Sequence, residues 1–176
     1  MRTLLLLLCL AGCDGKKDKA TVPELGGPRT SGVVMLNVAG VGYRLGDIVR
    51  INAKVGDLSK GDVVLFDWRK ATTTPGGFGP GHMIGQVIGL PGDKLALSTL
   101  LKYRGCNGKE KSAWFSTFER RGARNFDGSI TLVVGDYLVE TERNILVVDR
   151  SSIVALVVER LGHDDEAEEE MKQRVY

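Results

Sequence analysis

Few side chains in this chain of 176 residues are placed to act as a nucleophile or a general base. A serine hydroxyl becomes a nucleophile only when a neighbouring base removes its proton, and a lysine can do so only if burial lowers its pKa. Ser31 and His82 are the weak candidates for such a pair, with Lys70 and Lys94 flanking the histidine in sequence. We expect Ser31 to belong to a polar tether, His82 to lie at the surface, and both lysines to be solvated. Cys106 has no recognisable base near it and is interpreted as a loop thiol.

Metal and cofactor chemistry finds little support in the sequence. The three cysteines are Cys9, Cys13 and Cys106, too few for a disulfide framework. No second Cys or His stands near any of them at the spacing of a zinc site. The sequence therefore predicts no metal and no cofactor.

The elements that must position any site are those of one mainly β domain. The composition is 43% hydrophobic and 26% charged, with a net charge of +2, which suits a single globular domain. No run of Lys and Arg of the kind that binds nucleic acid is present, so we expect no nucleic-acid partner. The 23 glycines and the low aromatic content of 6% favour short strands and many turns.

Runs rich in Val, Ile and Leu begin at residue 33 and predict the strands. Alternation in "DIVRIN" and "DYLVET" predicts strands with one solvent-facing side, whereas "SIVALVV" predicts a strand covered on both faces. The polar segment 100–127 is interpreted as an inserted excursion or lid, and "ATTTPGGFGPG" as a loop. We assign the β domain to residues 33–161 and a charged tail, helical or frayed, to residues 162–176.

The amino terminus has the organisation of an export signal. Arg2 is followed by an apolar run that is too short to span a bilayer, which needs about 20 residues. The ending Leu-Ala-Gly-Cys resembles the bacterial lipobox, which implies cleavage before Cys13 and acylation of its thiol. We predict a lipoprotein signal at residues 1–12, a tether at 13–32 and a membrane-anchored domain facing the extracytoplasmic side. An ordinary cleaved signal and a buried apolar strand remain alternatives, and Asp14 resembles an inner-membrane retention signal.

Three blocks in the domain occur together in one order. They are "LGDIVRINAKVGDLSKGDVVLFDW" at 45–68, "MIGQVIGLPGDKL" at 83–95, and Gly135-Asp136 followed by "VVDRSSIVALVVERL". Together they resemble bacterial type I signal peptidases, the S26 family of serine peptidases, over most of residues 33–161. The resemblance implies a signal-peptidase/LexA-like fold built on an antiparallel β-sheet, and substrate held as an added strand.

The turn residues of these blocks have a structural explanation of their own. Glycine can adopt a positive φ and aspartate can accept bonds from nearby backbone amides, so each Gly-Asp pair predicts a tight turn. In "LPGD", the proline and glycine suit the two central positions of a type II turn. The residues that make up the structural motifs of these blocks are Gly46, Asp47, Gly61, Asp62, Gly89, Pro91, Gly92, Asp93, Gly135 and Asp136.

The catalytic positions that the resemblance implies are changed in this chain. The family's nucleophilic serine, eight residues ahead of the first Gly-Asp pair, falls at Val38. Its general-base lysine falls at Gly85, with Gln86 in place of the neighbouring arginine. Thr141 stands at a helper serine's place, and the family's Asp-Ser-Arg is missing. Neither valine nor glycine can move a proton, so the pattern indicates a lost catalytic dyad.

Three functions are compatible with these observations. The leading hypothesis is a lipid-anchored signal-peptidase-like protein that is inactive and binds extended peptides or preproteins. The first alternative is an active S26-type endopeptidase with a relocated dyad, such as Ser31 with His82 or a lysine. The second is an envelope lipoprotein that serves as a scaffold without peptidase activity.

Overall fold

A computed structural model describes residues 31–71, 81–105, 108–113 and 128–174. The predicted signal peptide, Cys13, Cys106 and most of the "ATTTPGGFGPG" loop lie outside these residues. Within them the strands are β1 (Gly32–Met35), β2 (Asp47–Asn52), β3 (Val63–Asp67), β4 (His82–Gly89), β5 (Lys94–Ala96), β6 (Ser112–Ala113), β7 (Ser129–Thr131), β8 (Asp136–Glu140), β9 (Asn144–Asp149) and β10 (Ile153–His163). The helices are α1 (Trp68–Ala71), α2 (Leu97–Leu101) and α3 (Asp165–Arg174), and a 3₁₀ turn covers Arg150–Ser152.

Eight of the strands form one large sheet in the order β1-β2-β10-β3-β4-β8-β9-β6. All neighbours in it are antiparallel except β6 and β9, which run parallel. Strands β5 and β7 form a separate antiparallel pair. The expectation of a mainly β domain with a short carboxyl-terminal helix is confirmed, and the parallel pair makes the large sheet mixed.

Three apolar clusters pack on this framework. One contains Phe66, Val139 and Leu146, and a second contains residues of β1, β2, β3 and β10 together with Ile84. The third joins Leu132 to residues of β8 and β9. Full burial of side chains of this size contributes about 1.5–3 kcal/mol each, so these clusters dominate the stability of the sheet.

Two expectations about strand faces were wrong. All five residues of β8 are buried, although "DYLVET" predicted one solvent-facing side. Strand β8 lies between β4 and β9, and its two faces contribute to different clusters, with Val139 in the first and Leu138 in the third. In β10 buried and partly buried residues alternate from Ile153 to Val157, and Val158 is 57% exposed, so "SIVALVV" is not covered on both faces.

Gly-Asp pairs form the same tight turn at four places in the described residues. In each turn the aspartate N–H donates to the carbonyl three residues earlier, at 3.0–3.2 Å. The carboxylates of Asp47, Asp62 and Asp93 also accept the N–H of that earlier residue, at 2.8–2.9 Å. Every glycine has a positive φ, which favours glycine because other residues are strained there. The φ values are +82° at Gly46, +100° at Gly61, +90° at Gly92 and +87° at Gly135.

The carboxyl-terminal tail begins with a helix that is docked on the sheet. The Asp164 carboxylate accepts the N–H of Ala167 at 3.0 Å and so caps α3. The Asp164 N–H donates to the Gly46 carbonyl at 3.0 Å, and a Cβ at Gly46 would lie 2.5 Å from the Asp164 carbonyl oxygen. Glycine at this position therefore allows the close contact between the first Gly-Asp turn and the start of α3.

Candidate functional site

Val38, where the sequence resemblance places a nucleophile, lies inside the protein. Val38 is 6% exposed and packs in the second apolar cluster with Ile84 of β4. Just after it, Gly40 and Tyr43 bond reciprocally through their backbones at 2.9 and 3.0 Å, closing a tight turn. Val41 occupies this turn with φ +45°, a conformation that strains a β-branched residue. The segment after Val38 is thus held in place by its own turn.

The same turn lies directly against strand β4. A Cβ placed on Gly40 would be 3.1 Å from both the carbonyl oxygen and the Cγ2 atom of Ile84. Residue Ile84 is adjacent in sequence to Gly85, the position of the family's general base. The structure therefore brings together the two segments that the resemblance paired, with Val38 and Gly85 in place of the reactive residues.

Gly85 is buried where β4 meets β8, and no side chain fits there. A Cβ at this residue would be 2.8 Å from the Glu140 carbonyl oxygen, closer still to Val139 Cγ1, and 3.2 Å from Phe66 Cε1. Separations below about 3 Å are steric clashes that a packed interior does not absorb without backbone shifts. Strand β8 therefore occupies the space that a lysine side chain at position 85 would need.

Gln86 and Thr141, at the other two positions compared in the sequence, make structural hydrogen bonds. The Gln86 amide nitrogen donates to the Gly61 carbonyl at 3.0 Å and so joins β4 to the second Gly-Asp turn. The Thr141 hydroxyl donates to the Asn144 carbonyl at 3.0 Å and accepts the Asn144 N–H at 3.1 Å. Both side chains therefore support turns between strands.

Ser31 and His82 do not come together as a catalytic pair. The Ser31 hydroxyl donates to Asn52 Oδ1 at 3.0 Å and accepts the Ala53 N–H at 3.1 Å, at the end of β2. His82 is partly buried rather than fully exposed. It lies at the start of β4, opposite Asp67 of β3 in the strand register. Lys94 is exposed on β5. Nothing in these contacts gives Ser31 a base.

A buried ion pair that the sequence analysis missed lies beside the β8–β9 turn. Lys111 and Glu140 have side chains that are 1% exposed, and Lys111 Nζ lies 3.5 Å from Glu140 Oε1. The same ammonium group donates to the carbonyls of Thr141 at 3.1 Å and Glu142 at 2.6 Å. The Tyr103 hydroxyl donates to Glu140 Oε2 at 2.8 Å. Two backbone carbonyls and one carboxylate surround Lys111 Nζ, an arrangement typical of a lysine with a structural role.

A second network, also missed, joins β10 to the first Gly-Asp turn. His163 Nδ1 lies 2.8 Å from Asp47 Oδ1, and Arg160 donates to Asp47 Oδ2 at 2.8 Å. Arg160 also bonds the Gly42 carbonyl and stacks over the Tyr43 ring, 4.7 Å from its centroid. Asp47 and His163 are 116 residues apart, so no local signal could have paired them.

The edge of the large sheet offers backbone groups to a further strand. Strand β1 is the first in the sheet order and pairs with β2 on one side only among the described residues. The Leu36 N–H donates to the Asp47 carbonyl at 2.8 Å, and bonded pairs alternate along antiparallel strands. Gly32 and Val34 therefore face β2, whereas the backbone groups of Val33 and Met35 point away from it.

Two carboxylates, those of Asp93 and Glu168, have pKa values below their ordinary values. The Lys60 ammonium, 2.7 Å away, and the Leu90 N–H together hold the pKa of Asp93 below its ordinary 3.8. Lys172, with a smaller contribution from His163, holds the pKa of Glu168 below its ordinary 4.5. Both shifts favour the charged form and stabilise the local turn or helix terminus.

Among the helices of the described residues, none has the length and apolar content required to cross a bilayer.

Neither the scan of protein-family models nor the search of curated proteins finds a match to this chain.

Proposed function

We propose that this chain is a lipid-anchored, signal-peptidase-like protein that has lost its catalytic dyad and binds extended peptides or preproteins. The family resemblance of the three sequence blocks motivates the proposal. The mainly β architecture and the contact of the Gly40 turn with β4 are compatible with it.

The observation that carries the proposal is the packing at Gly85. A general base needs a side chain that reaches a nucleophile within about 2.6–3.2 Å. Gly85 has no side chain, and Val139 and the Glu140 carbonyl occupy the space that one would need. Val38, at the nucleophile position, is likewise an apolar residue of the core. The chemistry of the dyad is therefore absent from both positions.

Peptide binding is proposed at the free edge of β1. An edge strand can hold an extended peptide through main-chain hydrogen bonds, and this mode needs no catalytic residue. The outward backbone groups of Val33 and Met35 would supply these bonds. The Val33 side chain is 53% exposed, so a bound strand could also contact it.

The lipid anchor at Cys13 would place this edge near exported chains. Residues 14–31 separate the cysteine from β1, and an extended segment of that length reaches about 60 Å at most. The domain could therefore meet preproteins at some distance from the membrane.

Loss of activity is tested by incubating the full-length protein, purified in detergent, with a preprotein that an active signal peptidase cleaves. We expect no cleavage. Cleavage that disappears when Ser31, His82 or any other single polar residue is replaced would show an active enzyme with a relocated dyad and would refute the proposal.

Peptide binding is tested with Val33→Pro in the same protein. Proline removes the outward N–H of Val33 while the bonds to β2 remain, which edge strands tolerate. We expect Val33→Pro to weaken binding of an extended peptide by at least about tenfold, and the control Val33→Ala, which keeps the N–H, to bind with little change. No peptide affinity in the parent protein would favour the envelope scaffold instead.

A further inference from the structure

The junction between β10 and α3 brings three metal-ligating side chains together. His163 is the last residue of β10, and Asp165 and Glu168 lie in the first turn of α3. His163 Nε2 is 3.2 Å from Asp165 Oδ1 and 2.8 Å from Glu168 Oε2. One ligand atom from each residue lies within 4.8 Å of the others.

A buried carboxylate outside this group fixes the histidine ring. Asp47, which is fully buried at the start of β2, faces His163 Nδ1 at 2.8 Å. Its other oxygen is held by Arg160 and by the Arg44 N–H, both at 2.8 Å, so it cannot turn away. A carboxylate at Nδ1 holds the imidazole ring with Nε2 directed at Asp165 and Glu168, and an acceptor at the second ring nitrogen is common for histidines that bind a metal ion.

His163 Nε2 has more hydrogen-bond acceptors near it than it has hydrogens to donate. Two carboxylate oxygens face one nitrogen, and that nitrogen carries one hydrogen at most. One hydrogen would have to be shared between both oxygens, whereas a divalent cation at this point would be bound by all three atoms. The three ligand atoms are therefore close enough together for one divalent cation to contact all of them.

We propose that His163, Asp165 and Glu168 bind a divalent transition-metal ion of the zinc class, with Asp47 as a positioning residue. One imidazole nitrogen with two carboxylate oxygens suits Zn²⁺ or Co²⁺, whereas Mg²⁺ and Ca²⁺ prefer oxygen ligands alone. The sequence predicted no metal site, because that search relied on the spacing of Cys and His while two of these ligands are carboxylates.

The surroundings allow an ion to enter without breaking other contacts. The Asp165 side chain is 93% exposed, which leaves solvent access and room for water ligands. The Oε2 atom of Glu168 faces the histidine, and its Oε1 atom lies 3.0 Å from Lys172 Nζ. The ion pair between Glu168 and Lys172 can therefore persist when Oε2 binds a metal ion. Because the ligands come from β10 and α3, a bound ion would tie the helix to the sheet.

Binding is tested by calorimetric titration of Zn²⁺ into the full-length protein in detergent, and by the visible absorption of bound Co²⁺. All proteins carry Cys106→Ser, so that the thiol does not compete as a ligand. We expect one ion per chain and a thermal midpoint that rises with Zn²⁺ concentration. The variants His163→Ala, Asp165→Asn and Glu168→Gln should each weaken binding by at least about tenfold.

Glu166→Gln is the matched control, because Glu166 is an exposed acidic residue of the same helical turn outside the ligand group. We expect it to bind Zn²⁺ as the parent does. Asp165→Asn keeps the test decisive if His163→Ala fails to fold, since Asp165 is almost fully exposed. Absence of binding in the parent, unchanged affinity in Asp165→Asn and Glu168→Gln, or an equal loss in Glu166→Gln would overturn the proposal.

Discussion

Gly85 lies so close to Glu140 that a Cβ atom on Gly85 would come within 2.8 Å of the Glu140 carbonyl oxygen. The contact joins β4 to β8 in the middle of the large sheet, where Gly85 and all five residues of β8 are buried. Packing between the two strands therefore requires a glycine at position 85, where the sequence resemblance places a general base.

Replacing Gly85 by alanine should destabilise the protein. The added methyl group meets Val139 and the Glu140 carbonyl, and overpacking of this kind costs about 1–3 kcal/mol. Denaturant unfolding of Gly85→Ala measures the loss. Gly32→Ala is the control, because a Cβ at Gly32 has no atom within 4 Å, and it should change the free energy of unfolding by less than about 0.5 kcal/mol. Equal stability of the two variants would contradict the packing argument.

Introducing the serine and lysine that the sequence resemblance implies should not produce peptidase activity. The double variant Val38→Ser with Gly85→Lys supplies both residue types, but the lysine has no space at β8 and cannot reach the serine without backbone shifts. A preprotein cleavage assay, with circular dichroism to verify folding, tests this. Cleavage by the double variant that either single reversion abolishes would show that the site is open enough for catalysis.

Lys111→Met should be strongly destabilising. It leaves the buried Glu140 carboxylate without its cation and removes the donor for the Thr141 and Glu142 carbonyls. Loss of one partner of a buried pair costs about 3–5 kcal/mol. The comparison is Arg104→Met, which breaks the exposed pair with Glu110 and should cost less than about 1 kcal/mol. Similar unfolding free energies for the two variants would count against a structural role for Lys111.

Asp93→Asn should remove a pH-dependent contribution to stability. Because Lys60 holds the pKa of Asp93 below 3.8 in the folded protein, this contribution is present above that value and is lost as the pH falls through the lower, folded-state pKa. The variant should be about 1 kcal/mol less stable than the parent near neutral pH, and the difference should shrink as the pH falls through the folded-state pKa of Asp93. Unfolding curves of both proteins across this range provide the measurement. A difference that is constant with pH would contradict the ion-pair origin.

Cys13→Ala should release the protein from membranes. The predicted acyl chains each contribute about 0.8 kcal/mol per buried methylene, and the lipobox resemblance places them on Cys13 rather than on Cys9. Membrane fractionation and metabolic labelling with a fatty acid measure the effect, and Cys9→Ala is the control. Labelled, membrane-bound Cys13→Ala protein would exclude this anchor.

Local features of the fold could be predicted because they depend on neighbouring residues. The turn at Asp93 uses a glycine with positive φ and bonds that span three residues, all visible in "LPGD". The helix Asp165–Arg174 follows from good helix formers with acidic residues in its first turn. Burial of β8 could not be predicted in this way, because an alternating pattern does not reveal that polar groups such as Glu140 find partners on distant segments.

By itself the sequence predicted a mainly β domain, most of its strands, the Gly-Asp turns and a charged tail that is helical or frayed, and it placed valine and glycine at positions 38 and 85. Only the tertiary structure decided that the space at Gly85 is closed, that Lys111 neutralises Glu140, and that Asp47 orients His163 toward α3. These relationships depend on which strands become neighbours. Long-range packing decides which strands become neighbours in a sheet. Residues more than a hundred positions apart, such as Asp47 and His163, therefore have no local sequence pattern that predicts their contact.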